Sequence, residues 1–177
     1  MAADLRIECR DAASAYPEVA RLEPVVYTPE KMAHVAWHEV EWAHAERWVL
    51  GWLDERLVSC AGIHRRKIAL DGTPRAIAGI GGVMTHPDHQ CRGYSTQVLD
   101  EANAAIAADI APAFSLIFVE PHNVDFYAHR GWGVFEGETI VEERGRRRPF
   151  PYMGVMLRDG TEVAPERGTI DMLGKPW

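Results

Sequence analysis

The chain predicts a mixed α/β fold: one sheet, antiparallel in its first half and joined later by crossover helices, with helices packed on it. Three observations carry this. Apolar or alternating runs at 57–70 and 75–85 flank Asp71-Gly72-Thr73, and Asp-Gly between strand-like runs is tight-hairpin chemistry. An earlier run at 48–53, ended by Asp54-Glu55, extends the pair to a three-strand meander. Downstream, an amphipathic pattern over 92–110 leads into the compact apolar run 113–119, a helix feeding a buried strand.

The elements follow in order. Leu5-Arg6-Ile7-Glu8-Cys9 alternates apolar and polar and predicts a first strand. Asp11 opens a helical pattern to about residue 22. Thr28-Pro29-Glu30 supplies an N-cap, a proline at the first helical position and an acid in the first turn, predicting a helix through Trp37 and His38 to about Trp42. After the meander, Tyr94, Val98, Leu99, Ala102, Ile106 and Ile110 recur at helical spacing, with Gln97, Asp100, Glu101 and Asn103 between them. Asn123 is expected to cap a short helix through His129, which Gly131 ends. A strand at 132–141, a basic loop at 144–148, a last strand at 152–157 and a tail to Trp177 complete the order.

Composition bounds the function. The 177 residues fit a single domain, 1–177. Hydrophobic residues at 47% and charged residues at 25% exclude wholesale disorder. A net charge of −7 argues against a sequence-blind nucleic-acid binder, and the run at 144–148 reads as a solvated loop or anion contact. No apolar run approaches the roughly 20 residues that span a bilayer, and residues 1–6 lack a secretory pattern, so no membrane partner and a cytoplasmic location are expected. Cys9, Cys60 and Cys91 form no CxxC pair or disulfide framework. His34 and His38 share a helix spacing, but no glutamate and third ligand complete a zinc pattern, so no metal is expected.

The most informative segment runs from Gly82 to Ser95. A strand ends at Thr85, a proline turn follows, and Gln90-x-x-Gly93-x-Ser95 opens the long helix. Backbone N–H groups at such a start, the helix dipole and Arg92 suit an anion, and Gly93 lets the main chain approach it closely. With Val83-x-Thr85-x-Pro87 before it and Phe126-Tyr127-x-x-x-Gly131-Trp132 after it, this segment resembles the GNAT superfamily of N-acetyltransferases over roughly 57–141. Ser95 stands where that family usually has Gly or Ala. The resemblance implies a V-splayed mixed sheet and acetyl-CoA as cosubstrate. Its pyrophosphate would lie on Gln90, Cys91, Arg92, Gly93, Tyr94, Ser95 and Thr96, and its pantetheine arm along Val83, Met84 and Thr85. Tyr127 would be the general acid that protonates the departing thiolate.

Glu41-Trp42-x-His44, the run Ile63-His64-Arg65-Arg66-Lys67-Ile68, Tyr127-Ala128-x-Arg130-Gly131-Trp132 and the final Trp177 are similar to the aminoglycoside 2'-N-acetyltransferases. That likeness implies a Trp177 carboxylate near the amine, with Trp37, Glu41 and Glu142 on the acceptor, and allows a homodimer. The sequence also departs from it. Gly81 stands where the family has an acid before the Gly-Val of its motif, Lys175 replaces another acid, and Arg144-Gly145-Arg146-Arg147-Arg148 replaces an acidic loop. A polycation wants an acidic pocket. This one reads as less acidic and suits kasugamycin, an amino-sugar antibiotic with its own carboxylate. Glu120, Glu142, Glu143, His122 and the Trp177 carboxylate are the base candidates, with Glu120 preferred. The expected activity is acetylation of an amino-sugar antibiotic, conferring resistance. The alternatives are another small amine, a protein amine, a CoA-binding sensor and an interaction domain without ligand.

Overall fold

The structure is a computed structural model and describes residues 5–177; the reading of the extreme N-terminus as lacking a leader lies largely outside those residues. Among the described residues ten strands and four α-helices follow one another. They are β1 (Arg6–Asp11), α1 (Ala12–Val26), α2 (Pro29–Met32), β2 (Arg47–Leu53), β3 (Arg56–Leu70), β4 (Thr73–Thr85), α3 (Tyr94–Asp109), β5 (Phe114–Val119), α4 (Val124–Ala128), β6 (Gly133–Val134), β7 (Glu138–Glu143), β8 (Arg146–Pro149), β9 (Gly154–Asp159) and β10 (Thr169–Asp171).

The local signals act as expected at most boundaries. Asp11 caps α1, its carboxylate accepting from the Ser14 N–H at 3.0 Å. Asp54, and then Asp71 with Gly72, take positive φ at the two meander turns. The meander is β2–β3–β4, antiparallel throughout, with β1 added on β2. The amphipathic helix α3 then crosses over to β5, which runs parallel to β4. The path β6-β9-β5-β4-β3-β10-β7-β8 is therefore a mixed sheet. Val98, Leu99, Ala102 and Ile106 of α3 are buried on it beside Ile80 and Ile117.

Several elements depart from expectation. Asn123 precedes α4 but its side chain makes no capping bond. The helix from Pro29 stops at Met32 instead of reaching residue 42, although Thr28 caps it as expected. Residues five apart on a helix point roughly 140° away from each other. Trp37 and Trp42 both line the central cavity, so residues 33–46 abandon the helix for a series of turns. The expected strand at 132–141 divides into β6 and β7, because its first part pairs with β9 and its second leaves that strand for β10 and β8. The basic loop is a hairpin instead: Arg144 and Gly145 take positive φ and Arg146–Pro149 pairs with β7. The tail holds a strand the sequence does not announce. β10 enters between the end of β3 (Ile170 opposite Leu70) and β7, to which it is parallel.

Candidate active site

The β4–β5 pairing covers only Ala78 to Ile80 against Ser115 to Ile117. Beyond it the two strands diverge, and a cavity of about 1090 Å³ opens between them, lined by Gly81, Val83 and Met84 on one side and Phe118, Val119 and Glu120 on the other. Backbone polar groups of a parted strand pair are unpaired, which suits a ligand carrying amides of its own.

At the outer end of β4 the chain builds an anion cradle. His86 accepts from the Asp88 N–H at 3.2 Å in a 3-10 turn, and the Gln90 amide donates to the Thr85 carbonyl at 3.2 Å. Cys91 and Gly93 both take left-handed backbone conformations, φ 59° and 79°. No side chain caps α3 at Gly93, and a β-carbon there would meet nothing within 4 Å. Cys91, Arg92 and Gly93 are exposed. A 16-residue helix thus presents uncapped N–H groups to open space, which fits a pyrophosphate. Thr96 is engaged elsewhere: its hydroxyl accepts from Arg130 at 2.7 Å, and that guanidinium also lies 3.8 Å over Phe126, tying α4 to α3.

Tyr127 comes from α4 into the wall of the same cavity, where it is 8% exposed. Burial, and secondarily Tyr27, push its phenol well above the ordinary tyrosine value, while Arg130 pulls the other way. It is therefore a neutral proton donor at physiological pH. Tyr27 lines the cavity too, its phenol pushed up to about 12 by burial, with Cys60, Glu120 and Glu23 contributing.

Among the base candidates, Glu120 lines the cavity. Its carboxylate accepts from the Trp37 indole N–H at 2.9 Å and lies 3.6 Å from His122, which is otherwise exposed. Glu143 faces a separate small hollow with Tyr152 and is paired with Arg148 at 3.3 Å. Glu142 sits on β7, its N–H donating to the Gly174 carbonyl, and is not among the cavity residues. Glu41 also falls outside the cavity. It is exposed and paired with Lys175 at 2.8 Å, an ammonium that holds its carboxyl below the ordinary range. Of the expected acceptor residues, Trp37 therefore meets Glu120 in the cavity wall, whereas Glu41 and Glu142 lie away from it.

Trp177 is docked. It is 5% exposed and lies in the cavity wall, stacked on His64 at 5.1 Å and beneath the Arg66 guanidinium at 4.8 Å. A β-carbon at Gly79 would clash with the Trp177 indole. One at Gly81 would stand 3.1 Å from His64 Nε2 and 3.2 Å from the Trp177 main-chain carbonyl carbon. Any side chain at position 81 is thus crowded by this docked tryptophan. The segment Gly79-x-Gly81-Gly82 is a floor made smooth for rings, since a β-carbon at Gly82 would stand 2.7 Å from the Trp48 ring. Three glycines within one strand are the signal for this; the sequence reading noted His64 and Gly81 only within motifs, assigned neither to the site, and did not single out Tyr27.

Burial drives the His64 imidazole down to about 3; Arg66 and His44 add to this, and a hydrogen bond to the His44 main chain opposes it. Among the described residues no cluster of three or more His, Cys, Asp or Glu is arranged to hold a metal, and no helix is long and apolar enough to cross a membrane.

The family described as the acetyltransferase (GNAT) domain matches residues 11–135. No curated protein matches. Solved structures share the fold at low identity. Escherichia coli ElaA is 15% identical with TM-score 0.62, covering 88% of this chain and 99% of its own. Escherichia coli YhbS, a GNAT family N-acetyltransferase solved with CoA, is 12% identical with TM-score 0.60, covering 97% and 91%. A Brucella melitensis GNAT family acetyltransferase in complex with acetyl-CoA is 10% identical with TM-score 0.58, covering 93% and 94%.

Proposed function

The chain belongs to the GNAT acetyltransferase family, and on that premise we propose that this acetyl-CoA-dependent N-acetyltransferase acts on the primary amine of an amino-sugar antibiotic, the 2'-amine of a kasugamycin-type compound, so conferring resistance. The observation that supports this reading most is the single cavity shared by the parted strands, Tyr127, Glu120 and the docked Trp177. One end suits a pantetheine arm; the other is a chamber of rings with few charges. Glu23 and Glu120 are its acidic side chains among the described lining residues, and no Lys or Arg lines it. A polycationic acceptor finds too little negative charge there, and an acceptor with one or two amines is better matched.

In the proposed reaction residues 90–95 hold the pyrophosphate through main-chain N–H groups, and the backbone of Val83 and Met84 guides the pantetheine amides. Glu120, oriented by the Trp37 N–H, takes a proton from the acceptor ammonium. The amine lone pair then forms the C–N bond at the thioester carbonyl as the C–S bond breaks. Tyr127 gives its phenolic proton to the sulfur and regains one from the acylated nitrogen. Atoms balance: ammonium and acetyl-CoA become amide, CoA thiol and one released proton. Residence in the cytoplasm fits a user of acetyl-CoA.

The test is acetyl-CoA-dependent thiol release on kasugamycin, several 2'-amino aminoglycosides, spermidine and a peptide amine. Turnover on kasugamycin above the polycations supports the reading. Turnover only on spermidine or the peptide overturns the antibiotic acceptor and leaves amine acetylation standing.

A further inference from the structure

Six rings form an unbroken wall on the acceptor side of the cavity. Tyr27 meets Trp37 edge-on at 5.7 Å, Trp37 meets Trp42 at 5.7 Å, Trp42 meets Phe118 at 6.4 Å, and Phe118 meets Trp177 at 6.2 Å. Trp177 then lies nearly parallel to His64, with 16° between the planes. All six line the cavity. Ring faces pack well against the apolar face of another ring, so recognition of polar groups falls to the heteroatoms at the ring edges.

His64 is the group suited to it. It sits on β3 opposite Gly79, is 6% exposed, and turns Nε2 toward Gly81 at the mouth of the parted strands. At physiological pH it is uncharged, since its proton affinity is so reduced. A neutral imidazole has one donor and one acceptor nitrogen. With its N–H given to the His44 main chain, the free ring nitrogen is an acceptor that can take a ring hydroxyl's proton in a hydrogen bond. Glu120 stands across the chamber, held by Trp37, and is the group that attracts the amine.

We propose that the acceptor is a hydroxylated ring bearing one reacting amine, packed against this wall, and that His64 selects it by hydrogen-bonding a ring hydroxyl while the amine turns to Glu120. The proposal rests on the acetyl-transfer reading above and adds a specificity-determining residue to it. Burying His64 beside an acceptor that lacks the hydroxyl leaves a polar atom unpaired, so hydroxyl-free amines are rejected as well as sugars favoured.

The experiment compares kcat/KM for kasugamycin and for cyclohexylmethylamine, which has a ring and one amine but no hydroxyl. Three proteins are used: wild type, His64→Phe and His64→Gln, each checked for folding by the thermal shift that acetyl-CoA produces. Wild type is expected to favour the sugar by about a hundredfold or more. His64→Phe keeps a ring against Trp177 and is expected to cut that preference about tenfold through the KM of the sugar; His64→Gln, which keeps a donor and an acceptor, restores most of it. An unchanged preference in His64→Phe overturns the role of His64. A wild-type preference for cyclohexylmethylamine overturns the hydroxylated acceptor. Acetyl-CoA binding with turnover of neither amine overturns the acceptor proposed above, and this inference with it. Deoxy analogues on the wild type give the answer without a variant: one ring deoxygenation should cost about tenfold, and a series in which none costs about threefold overturns the proposal.

Discussion

Gly93, in the cradle before α3, and Gly79, in β4 against the docked Trp177, are glycines for opposite reasons. Gly93 needs its positive φ and has empty space where a side chain would go. Gly79 has ordinary strand geometry and no space, because the Trp177 indole already fills it. At the first the backbone is shaped for a ligand and left open to it. At the second the protein has supplied its own aromatic occupant, and the ligand meets that occupant's surroundings. The nucleotide end is thus written in main chain and is generic. The acceptor end is written in packed side chains and belongs to this chain.

Variants can break this contrast. Tyr127 lines the cavity wall, and the proposed reaction uses it as an acid and not as a binding group. Tyr127→Phe should lower kcat by about 10²–10⁴ with acetyl-CoA affinity and acceptor KM nearly unchanged; loss of affinity at either end would make it a binding residue. Gly79→Ala forces a methyl into the indole, and overpacking of this kind costs about 1–3 kcal/mol. Thermal denaturation should show the loss, and acceptor KM should rise about tenfold while the acetyl-CoA Kd holds within about twofold. A shift in Kd instead would mean that the ends are not separable.

His64 sharpens the contrast through pH. Its folded value of about 3 lies below the unfolded value of 6.5, so the unfolded chain binds the extra proton between these limits. Its contribution to stability is complete above pH 6.5 and is lost as pH falls toward 3. By about pH 5 the loss is about 2 kcal/mol, or roughly 4–8 °C in Tm for a chain of this size. His64→Gln should lack that part of the acid sensitivity; identical pH dependence in the two proteins would remove His64 from the buried wall. Gly93→Ala is expected to have the smallest effect. A β-carbon has room there, and only the left-handed backbone is strained, about 1–2 kcal/mol. Acetyl-CoA Kd should rise by up to about tenfold, with acceptor KM unaltered.

The same contrast explains what was legible in the sequence. The meander, α3, the 90–95 loop and Tyr127 are all set by local chemistry: Asp-Gly turns, helical spacing, a glycine at a helix start. Each could be read within a dozen residues. The acceptor chamber could not, because its parts come from 33–46, β3, the end of β5 and the tail. Glu41 illustrates this. Its neighbours Val40 and Trp42 line the cavity, but its own side chain turns outward to Lys175, far along the chain in the tail. The over-long second helix has the same cause: helical propensity continued past Met32, and packing of two half-buried tryptophans in the cavity wall outweighed it.

The insertion of β10 beside β3 also sets an order of events during folding. Ile170 pairs with Leu70 across about one hundred intervening residues, whereas β4, the loop and α3 are contiguous. Closing so long a loop costs more chain entropy than closing a turn, and contacts of that separation form late. The nucleotide cradle is thus closed by short segments alone, whereas the chamber beside it depends on the costlier long closure.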